Sequence, residues 1–158
     1  MNSKLSHVDD HNNPQMVDVS NKKNTFRTAR AESRIGLPDA VKAAIQGGDI
    51  QSKKGPVFHT AIIAGVMAAK RTHELIPFCH PLGILDCSID IQPDSDDNIV
   101  IQCQVKVEGK TGVEMEALTG CTVAALTLYD MCKAISQDMV IEQTRLVLKT
   151  GGKSDINK

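Results

Sequence analysis

Two segments in which apolar and polar residues alternate strictly, 84–92 and 99–107, constrain the fold more than any other part of the sequence. They have the sequences ILDCSIDIQ and IVIQCQVKV, and the polar linker PDSDDN separates them. A period of two is typical of a strand that buries one face, and two such strands joined by a polar linker predict an antiparallel hairpin. The apolar side chains, beginning at Leu85, are expected to point inward. Such a hairpin needs other elements to cover its apolar face.

Two further strands and a short helix are predicted around this hairpin. Apolar and polar residues roughly alternate at 26–35, and the segment 139–149 is predicted to form the last strand. Pro38 is predicted to open a short helix, DAVKAAIQ, which Gly47-Gly48 ends.

Two long helices complete the plan. The first is predicted to run from Pro56 to about Leu75; it is apolar nearly all round and is therefore expected to be buried on more than one side. The second is predicted at 117–136, and Gly120 within it is expected to cost stability. The order strand, helix, helix, strand, strand, helix, strand predicts an α+β, ferredoxin-like fold, with a mainly antiparallel sheet and the helices packed on one face.

The second long helix carries two apolar faces. One stripe repeats at a spacing of three and four residues and is expected to pack on the sheet; its members are Leu118, Cys121, Ala125, Leu128, Cys132 and Ile135. The opposite side carries Val123 and Leu126 together with Asp130 and Lys133, so another subunit is the simplest cover for it. Asp130 and Lys133 lie three residues apart. They form either a surface ion pair or a partly desolvated acid/base pair with shifted pKa values.

Composition excludes several classes of protein. The 158 residues suit one domain, predicted at 15–150, with flexible tails at 1–14 and 151–158. A net charge of −1, with no Trp and one Tyr, argues against binding to nucleic acid or to a membrane surface. The five cysteines include no C-x-x-C pair and fit no disulfide framework. With neither a signal peptide nor a membrane-spanning run expected, we predict a cytoplasmic protein.

Two carboxylates and a histidine are candidates for a functional site. Glu114 and Glu116 belong to the segment VEME (113–116), which continues a period of two, so both are expected on one side of a strand. That side is either an exposed strand face or part of a ligand site, and the glycines nearby favour close approach of a ligand. The loop PFCHP holds His80 between two prolines, as a ligand contact or as a cap of a helix end.

Basic residues gather at the ends of elements, at Lys53-Lys54, Lys70-Arg71, Lys149 and Lys153. Single lysines are usually solvated, whereas a group of them at turns suggests a pocket for an anion. A zinc site is a further alternative, although no pair of its candidate ligands has the usual spacing, and no metal ligand is predicted; the candidates are His59, His73, Cys79 and His80.

Three segments closely resemble the cyclic pyranopterin monophosphate synthase family. They are MVDVSNK (16–22), the stretch 53–82 with LIPFCHPL, and the stretch 107–155 with KTGVEMEALT and YDMCKA. The family acts in molybdenum cofactor biosynthesis after the radical cyclisation of GTP. The resemblance implies a lyase that converts 3′,8-cyclo-7,8-dihydroguanosine 5′-triphosphate to cyclic pyranopterin monophosphate and releases pyrophosphate. It also implies a ferredoxin-like fold and a homohexamer, a trimer of dimers, with the active site at the dimer interface.

The resemblance assigns roles to individual residues as well. The catalytic positions that it implies are Asp130, Lys133, Lys54, Glu114 and Glu116. The substrate-binding positions are Phe78, Cys79, His80, Met115, Glu116 and Lys149, and further cations for the triphosphate are Lys70, Arg71 and Lys153. No cofactor is expected, although Mg²⁺ could accompany the triphosphate.

Two other functions fit parts of the sequence. A non-catalytic nucleotide-binding module would use the basic residues alone and would bind with strong salt dependence. A metal-binding protein would use the histidines and Cys79. Release of pyrophosphate from the cyclised GTP intermediate separates the first from a synthase, and elemental analysis tests the second.

Overall fold

An antiparallel sheet of five strands, in the order β5-β6-β1-β7-β8, forms the centre of the computed structural model, which describes residues 7–158. In chain order the elements are β1 (Thr25–Gly36), α1 (Asp39–Lys42), β2 (Ile45–Gln46), β3 (Asp49–Ser52), β4 (Gly55–Pro56), α2 (Val57–Lys70), α3 (Thr72–Leu75), β5 (Ile84–Pro93), β6 (Ile99–Gly109), α4 (Glu114–Cys132), β7 (Val140–Thr150) and β8 (Ile156–Asn157). The strands β2, β3 and β4 form a separate small sheet.

The topology confirms the predicted α+β, ferredoxin-like fold. The four long strands β1, β5, β6 and β7 pair antiparallel, with β1 between β6 and β7 and with β5 outside β6. The helices α2 and α4 pack against each other and against one face of this sheet. Alternate residues of the strands supply the sheet side of the core, as with Ala29 and Ala31 of β1 and Ile101 and Cys103 of β6.

The two long helices run antiparallel to each other. Asp49, which accepts hydrogen bonds from the first turn of α2, also acts electrostatically on Cys132 at the end of α4. At the other end, burial and also the charge of Glu116 at the start of α4 raise the pKa of Cys79, which follows α3. Each end of the helix pair therefore combines the start of one helix with the end of the other.

The predicted hairpin of β5 and β6 is confirmed, with Ile91 opposite Ile101. The prediction that Leu85 points inward is wrong. The register of the two strands shifts between Ile84 and Asp86, and Leu85 at this irregularity is 63% exposed. A bulge of this kind turns a side chain away from the face that the alternation predicts.

The helix predicted for DAVKAAIQ ends early. Only Asp39–Lys42 is helical, and Ile45–Gln46 forms β2, which pairs with β3. Gly47 and Gly48 have φ values of +60° and +85° and connect the two strands, instead of ending a helix. A two-residue hairpin turn requires positive φ at both of its central positions, and glycine adopts it without strain.

The first long helix is interrupted, since α2 ends at Lys70 and α3 begins at Thr72. Within the single chain it is buried on one side only, where Val57 and Ala61 join the core. Ile63 is 61% exposed on its outer side, and Met67 lies there as well. The second apolar side that the sequence predicted is present, but nothing within the described residues covers it.

The second long helix begins earlier and ends earlier than predicted. The segment VEME is not extended, because α4 starts at Glu114 and ends at Cys132. An alternating pattern of only four residues cannot distinguish a strand from the first turn of a helix. Glu114 and Glu116 consequently point about 200° apart around the helix axis, and not to one side of a strand.

Gly120 allows α4 to approach its neighbours closely. A Cβ atom there would lie 2.6 Å from Sγ of Cys103 in β6. Gly65 of α2 faces it, and a Cβ atom on Gly65 would lie 2.7 Å from the carbonyl oxygen of Gly120. The expectation that a better helix former would be more stable at position 120 is therefore wrong, because any side chain would force the layers apart.

The two predicted tails differ in how much of each the structure describes. The tail predicted at 1–14 falls partly on residues 1–6, which lie outside the described residues. The tail predicted at 151–158 includes β8, whose two residues pair with Leu148 and Lys149 of β7. Among residues 7–158, no helix is both long enough and apolar enough to cross a membrane.

Candidate active site

A cavity of about 680 Å³ lies where five segments of the chain meet at one end of the sheet. These segments are the loop after α3, the start of α4, the end of β7, the start of β1 and part of the N-terminal segment. Eight of the site residues predicted from the sequence line this cavity: Phe78, Cys79, His80, Glu114, Met115, Glu116, Lys149 and Lys153. The fold thus brings together predicted residues, from Phe78 to Lys153, that are up to 75 positions apart in the sequence.

Glu116 is the buried acid of this cavity. It is 4% exposed, and burial, followed by the negative charge of nearby Glu114, raises the pKa of Glu116 to about 7. A carboxyl group with such a pKa exchanges its proton readily near neutral pH. The start of α4 produces this environment, because it places Glu116 on the inner side of the first helical turn.

Glu114 has a cationic partner instead. Nζ of Lys149 donates a hydrogen bond of 2.9 Å to Oε1 of Glu114, and both side chains are about a quarter exposed. Lys149 reaches this position because it pairs with Ala29 of β1, whose side chain faces the helices. The ion pair therefore links the end of β7 to the start of α4.

The loop after α3 supplies a thiol and an imidazole. Burial raises the pKa of Cys79, and the charge of Glu116 raises it further, so this thiol stays protonated at neutral pH. Nε2 of His80 lies 2.9 Å from the carbonyl oxygen of Val17. The ring of Phe78 stacks on His7 with a centroid separation of 6.1 Å.

Three basic residues of the cavity were not predicted from the sequence. Lys22 and Lys23 come from the N-terminal segment and Arg27 from β1. Alternate residues of a strand point to the same face of the sheet, so Arg27 lies on the same face as the buried Ala29 and Ala31. This alternation in the sequence could have predicted that the side chain of Arg27 points toward the helices. With Lys149 and Lys153 they give the cavity five basic residues against two carboxylates.

A second charged cluster lies at the other end of the helices. Asp130 contacts both Lys133, at 2.7 Å, and Lys54, at 3.1 Å, so Lys54, Asp130 and Lys133 form an ion triad. The turn between β3 and β4 carries Lys54, and α4 carries the other two. The fold thus brings together three of the predicted catalytic residues.

The pKa values of Asp130 and Lys133 move away from neutrality. Hydrogen bonds from Lys133 and Lys54 lower the pKa of Asp130, and the hydrogen bond to Asp130 raises the pKa of Lys133. All three side chains are half exposed or more within one chain. The interpretation of Asp130 and Lys133 as a desolvated pair is therefore wrong for the single chain, where both are solvated and fully charged.

The cavity and the ion triad are too far apart to act on one small molecule within a single chain. Glu116 and Asp130 are separated by 14 residues of α4, which corresponds to about 21 Å along the helix axis. A lysine side chain spans only a fraction of this distance. One chain holds two halves of the predicted site, and it does not unite them.

Two predicted cations lie outside both clusters. Lys70 lines a separate cavity of about 340 Å³ beside β5, and Arg71 is exposed between α2 and α3. The suggested zinc ligands are also dispersed, since His59 contacts Asp49 at 2.7 Å while His80 contacts Val17. In the described part of the chain, no three His, Cys, Asp or Glu residues are grouped to hold a metal ion.

This ferredoxin-like domain has a basic cavity that also contains a carboxyl group with a pKa of about 7, and these are features of a small-molecule-binding protein. The chain belongs to the MoaC family, whose profile matches residues 16–152. The family resemblance inferred from the sequence segments is thereby confirmed.

Individual relatives match nearly the whole chain. A protein of Xanthomonas oryzae pv. oryzae named cyclic pyranopterin monophosphate synthase is 55% identical over 154 residues, which cover 98% of this chain and 93% of the relative. A Synechocystis protein named molybdenum cofactor biosynthesis bifunctional protein is 50% identical over 158 residues, covering 98% of this chain and 46% of the relative. A Dictyostelium discoideum protein named molybdenum cofactor biosynthesis protein 1 is 46% identical over 170 residues, covering 97% and 27%.

Proposed function

We propose that this protein is a cyclic pyranopterin monophosphate synthase of molybdenum cofactor biosynthesis. It converts 3′,8-cyclo-7,8-dihydroguanosine 5′-triphosphate to cyclic pyranopterin monophosphate and releases pyrophosphate, which makes it a phosphorus–oxygen lyase. Membership of the MoaC family and the printed names of the relatives support this function. The observation that carries it is the cavity, which combines five basic residues with a carboxyl group that titrates near pH 7.

The basic residues suit the triphosphate. Such a group carries about four negative charges at neutral pH, and Arg27, Lys149 and Lys153 are among the cations that line the cavity. Cyclisation requires a sugar oxygen to attack the α-phosphorus while pyrophosphate leaves. Cations fixed around the leaving group stabilise the charge that develops on it.

The rearrangement of the ring system also moves several protons. Glu116, with a pKa of about 7, accepts or donates a proton at little cost near neutral pH. Glu114 accepts a hydrogen bond from Nζ of Lys149 and positions that ammonium group. Asp130 and Lys133 supply a further acid/base pair once the ion triad reaches the substrate.

The two halves of the site come together between subunits in this proposal. The outer stripe of α4 carries Leu126, 58% exposed, one turn before Asp130, and the outer side of α2 exposes Ile63. A partner that covers this apolar stripe also desolvates the ion triad. In a twofold dimer each subunit gives its ion triad to the cavity of the other, and we propose a homohexamer built as a trimer of such dimers.

The remaining parts of the proposal concern cofactor and compartment. No cofactor is required, and Mg²⁺ reaches the site with the triphosphate if it takes part at all. We propose the cytoplasm as the compartment. The five free cysteines among the described residues support a reducing environment.

Substitution of the ion triad tests this function directly. Incubated with the cyclised GTP intermediate, the wild-type protein is expected to release pyrophosphate. Asp130→Asn and Lys133→Ala are expected to lose at least about a hundredfold in kcat while keeping the wild-type assembly, because the acid/base pair is removed. Pyrophosphate release and size-exclusion chromatography measure the two properties.

Matched controls come from the exposed face of the sheet. Asp90→Asn and Lys106→Ala remove the same kinds of charge at exposed positions that belong to neither charged cluster, and are expected to keep full activity. Wild-type protein that binds the intermediate without releasing pyrophosphate would instead be a nucleotide-binding module. Full activity of Asp130→Asn or of Lys133→Ala would remove the ion triad from the mechanism.

A further inference from the structure

We propose that residues 17–23, here called the strap, form a closing wall of the cavity that presents Lys22 and Lys23 to a polyphosphate, and that Lys110 is the positioning residue that holds the strap. This inference deepens the proposed function and rests on it for the nature of the polyphosphate. The strap precedes β1 and belongs to no helix or strand. It nevertheless contributes four residues to the wall of the cavity, Val17, Val19, Lys22 and Lys23.

Two side chains from distant parts of the chain hold carbonyl groups of the strap. Nε2 of His80 lies 2.9 Å from the oxygen of Val17, at the beginning of the strap. Nζ of Lys110 donates a hydrogen bond of 2.7 Å to the oxygen of Ser20, at its middle. A charged donor strengthens a hydrogen bond, so the contact of the Lys110 ammonium group is a firm anchor for the strap.

The strap is preorganised between these two anchors. The carboxylate of Asp18 accepts hydrogen bonds from both the backbone N–H and the hydroxyl of Ser20, at 2.8 and 2.6 Å. The backbone N–H of Lys22 donates to the oxygen of Val19 at 3.0 Å. Fixing the Ser20 carbonyl therefore also fixes where the chain directs Lys22 and the next residue, Lys23.

The contact of His80 explains why the strap has to move during binding. A carbonyl oxygen only accepts hydrogen bonds, so Nε2 of His80 carries the hydrogen in this arrangement. That donor is occupied by Val17 and becomes available to a phosphate oxygen only when the strap shifts. Lys110 keeps the strap attached while His80 changes partners, because its own contact does not involve the cavity.

Limited proteolysis of the assembled protein tests this inference without turnover. Trypsin cleaves after Lys22 and Lys23, and inorganic tripolyphosphate serves as the ligand. In the wild-type protein, tripolyphosphate is expected to slow cleavage at these two sites. Lys110→Met is expected to speed their cleavage about tenfold without ligand and to bind tripolyphosphate about three- to tenfold more weakly in calorimetry.

Steady-state kinetics provides a second test, because a merely structural role of Lys110 would not change KM while leaving kcat unchanged. Lys110→Met is expected to raise KM for the cyclised intermediate about three- to tenfold and to leave kcat within about twofold, because Lys110 orders the strap before binding and the bound polyphosphate itself keeps Lys22 and Lys23 in place afterwards. The control is Lys106→Met, which removes a lysine paired with Asp86 and is expected to match the wild type in every assay.

Several outcomes would overturn the inference. One is cleavage of Lys110→Met at the wild-type rate, and another is tripolyphosphate that fails to protect Lys22 and Lys23 in the wild type. A fall in kcat with unchanged KM would move Lys110 into the chemical step. If the wild-type protein released no pyrophosphate, the proposed function would fail, whereas the proteolysis and calorimetry would still decide whether the strap binds polyphosphate.

Discussion

At the scale of single residues, Glu116 and Asp130 show how location sets the chemistry of identical functional groups. Both are carboxylic acids on α4. Burial with a like charge nearby brings the pKa of Glu116 to about 7, whereas two lysines lower the pKa of Asp130. One group therefore exchanges protons at neutral pH, and the other stays ionised.

Glu116→Gln is expected to change how stability depends on pH. The pKa of Glu116 is raised in the folded protein, so its contribution to stability is complete below its unfolded pKa of about 4.5 and is lost as the pH rises through about 7. The cost of the buried charge at pH 8 amounts to at most about 3 kcal/mol. Glutamine removes this cost, so the variant is expected to gain stability relative to the wild type between pH 5 and pH 8.

Urea unfolding at both pH values measures this gain, at one protein concentration because the protein is proposed to assemble. Glu108→Gln changes an exposed glutamate and is expected to follow the wild type at both pH values. A free-energy difference between Glu116→Gln and wild type that is the same at pH 5 and pH 8 would show that Glu116 ionises normally.

The sequence predicted the residue types of the site better than their surroundings. The resemblance pointed to Glu116 and Lys149, but the burial of Glu116 follows from a helix that begins at Glu114. The place of Lys22 and Lys23 in the cavity was missed, because no spacing in the sequence connects them with Lys149. They meet only in the wall of the folded cavity.

At the scale of elements, the contact between α2 and α4 depends on two glycines. Gly65 and Gly120 let the helix backbones approach each other and let α4 approach Cys103 of β6. This approach also fixes the distance between the start of α4, which carries Glu116, and the loop after α3. The packing of the helices is therefore part of how the cavity is built.

Gly65→Ala is expected to destabilise the protein by about 1–3 kcal/mol, because overpacking forces the helices apart. Alanine alone would stabilise an isolated helix by about 1 kcal/mol relative to glycine, so the expected sign is opposite to the helix propensity. Thermal or urea unfolding measures the change. Gly83→Ala, whose Cβ atom would meet no atom within 4 Å, is expected to stay within about 0.5 kcal/mol of the wild type. A stabilised Gly65→Ala would show that the helices are free to separate.

Helices and strands were predictable where the alternation of apolar and polar residues stayed regular over many consecutive residues. The hairpin of β5 and β6 and the two long helices each have nine or more residues of consistent pattern. Short segments failed for a physical reason. A Gly-Gly pair serves equally as a helix end or as a hairpin turn, and only the pairing of Ile45 with Ile50 decides between them.

At the scale of the whole molecule, the antiparallel arrangement of α2 and α4 separates the cavity from the ion triad. The outer apolar side of α4, predicted from the sequence to need a partner, is exposed in the single chain at Leu126, one turn before Asp130 of the ion triad. The sequence pattern pointed to the need for a second subunit. The division of the site into two halves became visible only from the topology, because it depends on the length and direction of α4.

Mixing two inactive variants is expected to restore activity if the halves combine across a dimer. Lys149→Ala impairs the cavity and Asp130→Asn the ion triad, so each alone is expected to be nearly inactive. In a mixed dimer one of the two sites receives both substitutions and the other receives neither. Random pairing makes half of the dimers mixed, so co-expression is expected to give about a quarter of wild-type activity.

The matched control mixes two cavity variants, Lys149→Ala and Glu116→Gln. Both sites of such a dimer remain impaired, so no activity is expected to return. Pyrophosphate release from the cyclised intermediate, measured on tandem-tagged mixed assemblies, distinguishes the two mixtures. If neither mixture regained pyrophosphate release, the cavity of one subunit and the ion triad of another would not form one active site. Equal restoration in both would mean that the variants are partly active in the assembly.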